Sequence, residues 1–317
     1  MNYILLLGGL TLLIFGSNWL VDGASNLARK LNISDLVIGL TVVALGTSAP
    51  ELVVNLIASF NGKTDIAIGN ILGSNIFNIL LILGVTAMVL PVTVKNNTVW
   101  KEIPFSLLAI VVVAFMANDI LIDRYQQNEI SRIDGLVLLS FFSIFMAYTF
   151  ILAKQSGPLM DSEKVVLTVP RSIIYVLLGL AGLILGGRFL VMGAVEIARS
   201  LGLSESVIGL TVVATGTSLP ELATSVVAAI KRNSDIAIGN VVGSNIFNIF
   251  FVLGSSAVIR PLPFNPASNF DIMVTILASL LLFIFVFVGK GRRIDRTEGA
   301  FFVLLYIAYT VYQVIFA

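Results

Sequence analysis

Glu51 and Glu221 stand in runs apolar enough to cross a bilayer, and each has hydroxyls and a proline beside it. The first stretch, Gly39 to Glu51, holds Thr47, Ser48 and Pro50. The second, Gly209 to Glu221, differs only in Thr215 for Leu45 and Leu219 for Ala49. A charge near the bilayer centre costs about 2.5–3.5 kcal/mol on insertion scales, so two retained carboxylates imply something positive between them. Pro50 has no amide hydrogen for the carbonyl of Gly46, and Pro220 has none for Gly216. Interrupted backbone survives at membrane depth only where protein buries it or where it lines a cavity. The carbonyls from Ala44 to Thr47 and from Ala214 to Thr217 are therefore candidate cation ligands. Thr47 and Glu51 share a helix face, as do Thr217 and Glu221.

A second polar motif follows each glutamate. Gly69-Asn70-Ile71-Leu72-Gly73-Ser74-Asn75-Ile76-Phe77-Asn78 returns nearly unchanged as Gly239 to Asn248, with Ser74 and Asn78 on one face and Ser244 and Asn248 on the matching one. Brought together, the copies would offer two carboxylates, two asparagines and several hydroxyls and carbonyls. All are oxygen donors, and the fixed charge is −2. One Ca²⁺ with six to eight oxygen ligands neutralises that charge, whereas Mg²⁺ keeps its waters and demands tight octahedral geometry. The chain has no Cys and no His, which removes thiol chemistry and the usual zinc and copper ligands.

Plainer readings compete. Ser48-x-x-Glu51 and Ser218-x-x-Glu221 fit a capping box, with proline in the first turn of a restarted helix. Hydroxyls can bond back to the i−4 carbonyl, and Ser and Asn commonly join membrane helices to one another. Asp65 and Asp235 open the next spans and read as N-caps. Asp119, Asp123, Glu129 and Asp134 read as a solvated loop. None of this explains why a helix should restart in mid-membrane twice.

The scaffold follows from composition. The chain is 57% hydrophobic and 12% charged, which excludes the soluble globular class; a net charge of +1 without a basic stripe argues against nucleic acid. Apolar runs predict an all-α polytopic membrane protein of ten transmembrane helices, at roughly 2–24, 36–60, 65–90, 103–122, 133–153, 171–196, 206–230, 235–259, 269–289 and 298–316. The first run lacks a basic flank and echoes the internal run around Leu185 to Ala194, so it reads as a retained span and not a signal peptide. Aligning Ala28–Pro91 with Ala198–Pro261 without a gap gives 36 identities in 64. An odd number of spans per unit makes the second copy enter the bilayer in the opposite sense, so two inverted five-helix repeats, 1–153 and 171–317, are expected around a short linker, 154–170. One set of connections holds Arg29, Lys30, Lys95, Lys101, Lys154, Lys164, Arg171, Lys231, Arg232 and the cluster Lys290 to Arg296. The other holds Lys63, Arg124, Arg132, Arg199 and Arg260. That bias places the linker in the cytoplasm and both termini outside a multi-pass cell membrane protein.

At Gly46-Thr47-Ser48-Ala49-Pro50-Glu51, Gly73-Ser74-Asn75-Ile76-Phe77-Asn78 and their second copies, the chain closely resembles the cation/calcium exchanger superfamily in its sodium/calcium exchanger branch, whose two α-repeats carry such motifs in this order. The resemblance implies a core of spans 2, 3, 7 and 8, with spans 1 and 6 sliding against it. It implies Ca²⁺ bound by Glu51, Glu221 and the carbonyls of Thr47 and Thr217. It implies Na⁺ bound among Glu51, Glu221, Ala44, Thr47, Ser48, Ser74, Asn78, Ala214, Thr217, Ser218, Ser244 and Asn248. Some archaeal and potassium-dependent relatives have Asp where this chain has Asn248, so potassium dependence is not expected.

The leading expectation is a secondary antiporter moving Ca²⁺ against Na⁺, with no cofactor and no required protein partner. Coupling to H⁺ is the alternative, since buried carboxylates without a cation take up protons. A channel needs a continuous pore, which mirrored half-sites do not provide. An ATP-driven pump needs a G-x-x-x-x-G-K-[ST] loop that this chain lacks, and an intramembrane hydrolase would not need so many oxygen ligands around its acids.

Overall fold

The computed structural model describes residues 2–96, 98–122, 124, 127–155, 167–200, 214–288 and 291–316, most of them helical. In chain order the long helices are α1 (Asn2–Lys30), α2 (Asp35–Thr47), α3 (Ala49–Phe60), α4 (Ile66–Val89), α5 (Thr98–Met116), α6 (Arg132–Lys154), α7 (Val169–Ser200), α8 (Leu219–Ile230), α9 (Ser234–Ile259), α10 (Pro266–Val288) and α11 (Arg296–Ile315). Eight of these are each long and apolar enough to cross a membrane, and α2 with α3 makes a ninth span bent by 47°. The seventh expected span, 206–230, is represented by α8 and a turn at Ala214–Gly216, because 201–213 lie outside the described residues. Most of the expected linker, 154–170, lies outside them too.

Polarity decides which helices are central. The most apolar window of α9 is 94% buried and that of α4 is 72% buried, against 11% for α11. Helices that carry asparagines and serines along their length can only sit where those groups find partners. Both central helices change to a π-helical turn just after their polar motif, at Phe77–Ile82 and Phe247–Leu253, a distortion that frequently marks functional sites. The peripheral helices contribute aromatic packing, such as Phe105 stacked on Phe145 and Phe141 on Phe250.

Contacts among the connections sort the molecule into two ends. At one end β1 (Val92–Thr93) pairs antiparallel with β4 (Arg293–Ile294), Lys95 forms an ion pair with Asp235, Lys231 pairs with Asp22 at 2.7 Å, and Asn233 donates to Asp35 at 2.8 Å. At the other, β2 (Glu129–Ile130) pairs with β3 (Leu262–Pro263), and Gly62 turns with a φ of +73° against Arg260. The strand pairs each join the first part of the chain to the second.

Three local expectations are corrected. Asp235 is not an N-cap: Asn233 accepts the Ile236 amide at 3.1 Å, leaving Asp235 inside the first turn and able to pair with Lys95. The fourth span runs from Thr98 to Met116, earlier than expected. Asn118 ends it by donating to the Ala114 carbonyl and exchanging hydrogen bonds with Asn269, all at 2.8 Å. The acidic loop is not merely solvated, since Asp119 accepts the Glu129 amide at 3.0 Å and Asp134 accepts the Ser131 amide at 2.8 Å; Asp123 lies outside the described residues.

Helices α1 and α7 touch backbone to backbone. Gly9, Gly16 and Gly23 face Gly179, Gly186 and neighbouring backbone; a Cβ added at Gly16 would lie 2.8 Å from the Leu183 amide nitrogen, and one at Gly179 2.6 Å from that of Leu20. Small residues permit such approach between membrane helices. Gly16→Val is expected to lower the thermal midpoint in detergent, at an overpacking cost of about 1–3 kcal/mol. Gly8→Ala, where nothing among the described residues lies within 4 Å, should leave the midpoint unchanged.

Candidate functional site

Ser48 occupies the bend between α2 and α3, with φ −82° and ψ 6°, and Ser218 precedes α8 with φ −90° and ψ 6°. Proline in the following turn fixes both breaks. Neither serine caps its own helix, so the capping box is overturned. The hydroxyls reach across the interface instead: Ser48 Oγ donates to Glu221 Oε1 at 3.0 Å, and Ser218 Oγ donates to Glu51 Oε1 at 2.9 Å. A buried carboxylate is a stronger acceptor than any group the helix end offers these hydroxyls. Glu51 and Glu221 are each only 1% exposed. Ser218 Oγ also lies 3.2 Å from Ser74 Oγ, bringing α4 into the same network.

The asparagines form a clamp between α4 and α9. Asn78 Nδ2 donates to Asn245 Oδ1 at 2.9 Å, and Asn248 Nδ2 donates to Asn75 Oδ1 at 3.2 Å. With its nitrogen so engaged, each of Asn78 and Asn248 keeps an amide oxygen free. Six buried oxygens here have no hydrogen-bond partner among the described residues: Glu51 Oε2, Glu221 Oε2, Asn78 Oδ1, Asn248 Oδ1, Thr217 Oγ1 and Ser244 Oγ. The Thr217 hydroxyl neighbours Glu51, and those of Thr47 and Ser244 neighbour Glu221. Buried polar atoms are rarely left unmatched, and a set of orphaned oxygens around two carboxylates is the donor chemistry of a hard cation site.

Other expected ligands are already engaged. The Ala44 carbonyl accepts the Ser48 amide at 3.0 Å and the Thr47 hydroxyl at 3.3 Å. Thr47 Oγ1 also lies 3.0 Å from Asn240 Oδ1, and Asn240 Nδ2 donates to the Glu221 carbonyl at 3.2 Å and to Ser225 Oγ at 3.0 Å. Ala214 opens the turn before Ser218. Sequence reasoning missed Asn75, Asn245 and Asn240 as supports, and Asn55, whose Nδ2 donates to the Glu51 carbonyl at 2.9 Å. The first three stand inside the repeated motif, Asn75 and Asn245 three residues before Asn78 and Asn248 and Asn240 four residues before Ser244, so the repeat itself held the signal. Asn55 is replaced by Ser225 in the second copy and gave none.

A cavity of about 410 Å³ lies beside this network, lined by Asn70, Gly73, Phe77 and Thr215 at its inner part and by Asp271 and Tyr309 towards the Leu262–Asn269 end. A second, apolar cavity of similar size reaches Thr217 past Pro50 and Arg188.

Residues 1–151 and 171–315 match the family described as sodium/calcium exchanger protein. The chain belongs to that family. It is 41% identical to the putative antiporter CaxA of Alkalimonas amylolytica over 96% of each chain, and 33% identical to the sodium/calcium exchanger MaX1 of Methanosarcina acetivorans over 98% of this chain and 97% of that one. Its fold is similar to a structure of the sodium-calcium exchanger NCX_Mj soaked with zero Na⁺ and Ca²⁺, with a TM-score of 0.83, 37% identity and 98% of both chains covered. Members of this exchanger family are transporters and not enzymes, so the polar network belongs to a membrane antiporter for sodium and calcium.

Because Asn245 holds Asn78 by its nitrogen, Asn245→Ala should weaken equilibrium ⁴⁵Ca²⁺ binding to purified protein by about tenfold or more, the usual effect of removing a group that orients a metal ligand. Asn245→Asp, which keeps the acceptor, should lose less.

Proposed function

We propose that this protein exchanges Ca²⁺ for Na⁺ across the cell membrane by alternating access, with ions bound near the midplane between two inverted five-span halves, 1–153 and 171–317. The reciprocal serine–glutamate bonds carry this reading: each half completes the carboxylate of the other, as a site at a repeat interface requires. Glu51 and Glu221 hold the cation, helped by Asn78, Asn248, Ser74, Ser244 and the hydroxyls and carbonyls of Thr47 and Thr217, with Ser48, Ser218, Ala44 and Ala214 completing the set as ions change. The Lys and Arg distribution supports a cytoplasmic linker at 154–170 and outside termini.

Alternating access is supported by matched pairs in unmatched states. Thr47 bonds Asn240, but the equivalent Thr217 Oγ1 and Asn70 Nδ2 are both buried without a partner. Three Na⁺ per Ca²⁺ suit the energetics: expelling Ca²⁺ against a ~10⁴-fold gradient and ~100 mV costs about 10 kcal/mol, and each Na⁺ returning down a ~10-fold gradient and that voltage supplies about 3.7.

Proton coupling is the second reading, favoured by Glu51 Oε2 and Glu221 Oε2, which have no donor and could each hold a proton. Reconstituted vesicles should show ⁴⁵Ca²⁺ uptake driven by an outward Na⁺ gradient and abolished in Glu51→Gln and Glu221→Gln. Uptake that follows a pH gradient and ignores Na⁺ selects the proton reading. Undiminished uptake in both variants refutes the site.

A further inference from the structure

Of the carboxylates outside the central site, Asp271 is the one among the described residues that lines the cavity beside it. Asp235, Asp22 and Asp295 are each paired with a Lys or Arg, but among the described residues Asp271 has no basic partner. Its Oδ1 accepts Tyr309 Oη at 2.9 Å and Gln313 Nε2 at 2.6 Å, which fixes the side chain through one oxygen. It sits near the start of α10, in the first α-helical turn after the 3₁₀ turn Pro266–Ser268, on the wall of the cavity that runs inward to Gly73 and Phe77. Those residues adjoin Ser74 and Asn78 of the ion site.

Asp271 is the one charged side chain among the described residues that line the cavity. Asn70 Nδ2, also on its wall, is buried with no acceptor among the described residues, and a cavity of about 410 Å³ has room for the water that would satisfy it. A carboxylate in a water-filled cleft with low-dielectric walls focuses potential and raises the local concentration of cations. The corresponding place in the first half is occupied differently: Glu102, which accepts a hydrogen bond from Tyr148, is only 1% exposed and lies against α6, away from the central motif. The two carboxylate–tyrosine pairs both tie a fourth span to a fifth, but only Asp271 faces a route to the site.

We propose that Asp271 is a cation-recruiting residue, a weak hydrated binding point for Ca²⁺ at the entrance of this vestibule, acting on ions that enter from the Leu262–Asn269 side. This rests on the exchanger reading. The rival account is structural: an acid in the first turn favours the helix dipole and joins α10 to α11.

Asp271→Asn separates them, because the amide oxygen still accepts from Tyr309 and Gln313 while the charge is gone. In vesicles at about 10 mM inert salt, with ⁴⁵Ca²⁺ supplied from one face at a time, the variant should need about threefold to tenfold more Ca²⁺ for half-maximal uptake from one face only, at unchanged maximal rate, an electrostatic effect of the size expected for focusing. Raising choline chloride to about 300 mM should shrink the difference by screening, and Asp271→Glu should behave as the wild type. An unchanged half-maximal concentration, an effect equal from both faces, or a loss of maximal rate insensitive to salt overturns the proposal. Absence of exchange in the wild type itself, in the same vesicles, would instead sink the exchanger reading.

Discussion

Two carboxylates buried within one polar network set the terms for everything around them. Taking an ion out of water costs several kcal/mol even after relaxation, and two like charges add their repulsion. The protein offsets part of this with one serine hydroxyl to each carboxylate, donated from the opposite segment. That leaves one oxygen per glutamate uncompensated. On the proposed reading the deficit is what a cation would fill: full satisfaction by protein donors would remove the reason for an ion to bind.

The remaining architecture keeps those oxygens in place without filling the space between them. Proline after Ser48 and Ser218 breaks both helices at the same depth, so hydroxyls that would otherwise cap or bond back along the helix are aimed across it. Asparagine pairs between α4 and α9 hold Asn78 and Asn248 by their nitrogens, which orients the oxygens without using them. Glycines let these helices approach closely enough for short polar side chains to meet: Gly39 and Gly239 nearly touch at the crossing of α2 and α9. A larger residue there would push the polar groups beyond hydrogen-bond reach.

Much of this was legible in the sequence. Carboxylates in lipid-length apolar runs, prolines beside them and a repeat at an offset of 170 residues located both halves of the site, and the scarcity of charge identified the membrane. The ligand partners were less legible. A serine three residues before a glutamate reads as a cap, and only the folded arrangement shows that a better acceptor lies on the other segment. Asn75 and Asn245 look equivalent to Asn78 and Asn248 in composition; their supporting role depends on which way each amide faces. Asp235 reads as a cap until Asn233 is seen to hold that position. Tertiary partners decided these cases, and local spacing carries no record of them.

The repeat is nearly exact in the motifs, yet the structure treats its copies unequally. Thr47 and Asn240 are bonded, while Thr217 Oγ1 and Asn70 Nδ2 have no partner among the described residues. On the proposed alternating-access reading, chemically identical pairs in opposite states would exchange their bonds in the other state, at nearly the same free energy because the same kinds of contact are made and lost. On the proposed reading that near-degeneracy is the working principle. A bound ion biases a conformational equilibrium only by its differential affinity for the two states, and shifting it from 1:99 to 99:1 takes about 5.5 kcal/mol. A carrier whose two states were built from unlike contacts would need more than that from its cargo; one built from copied contacts needs little.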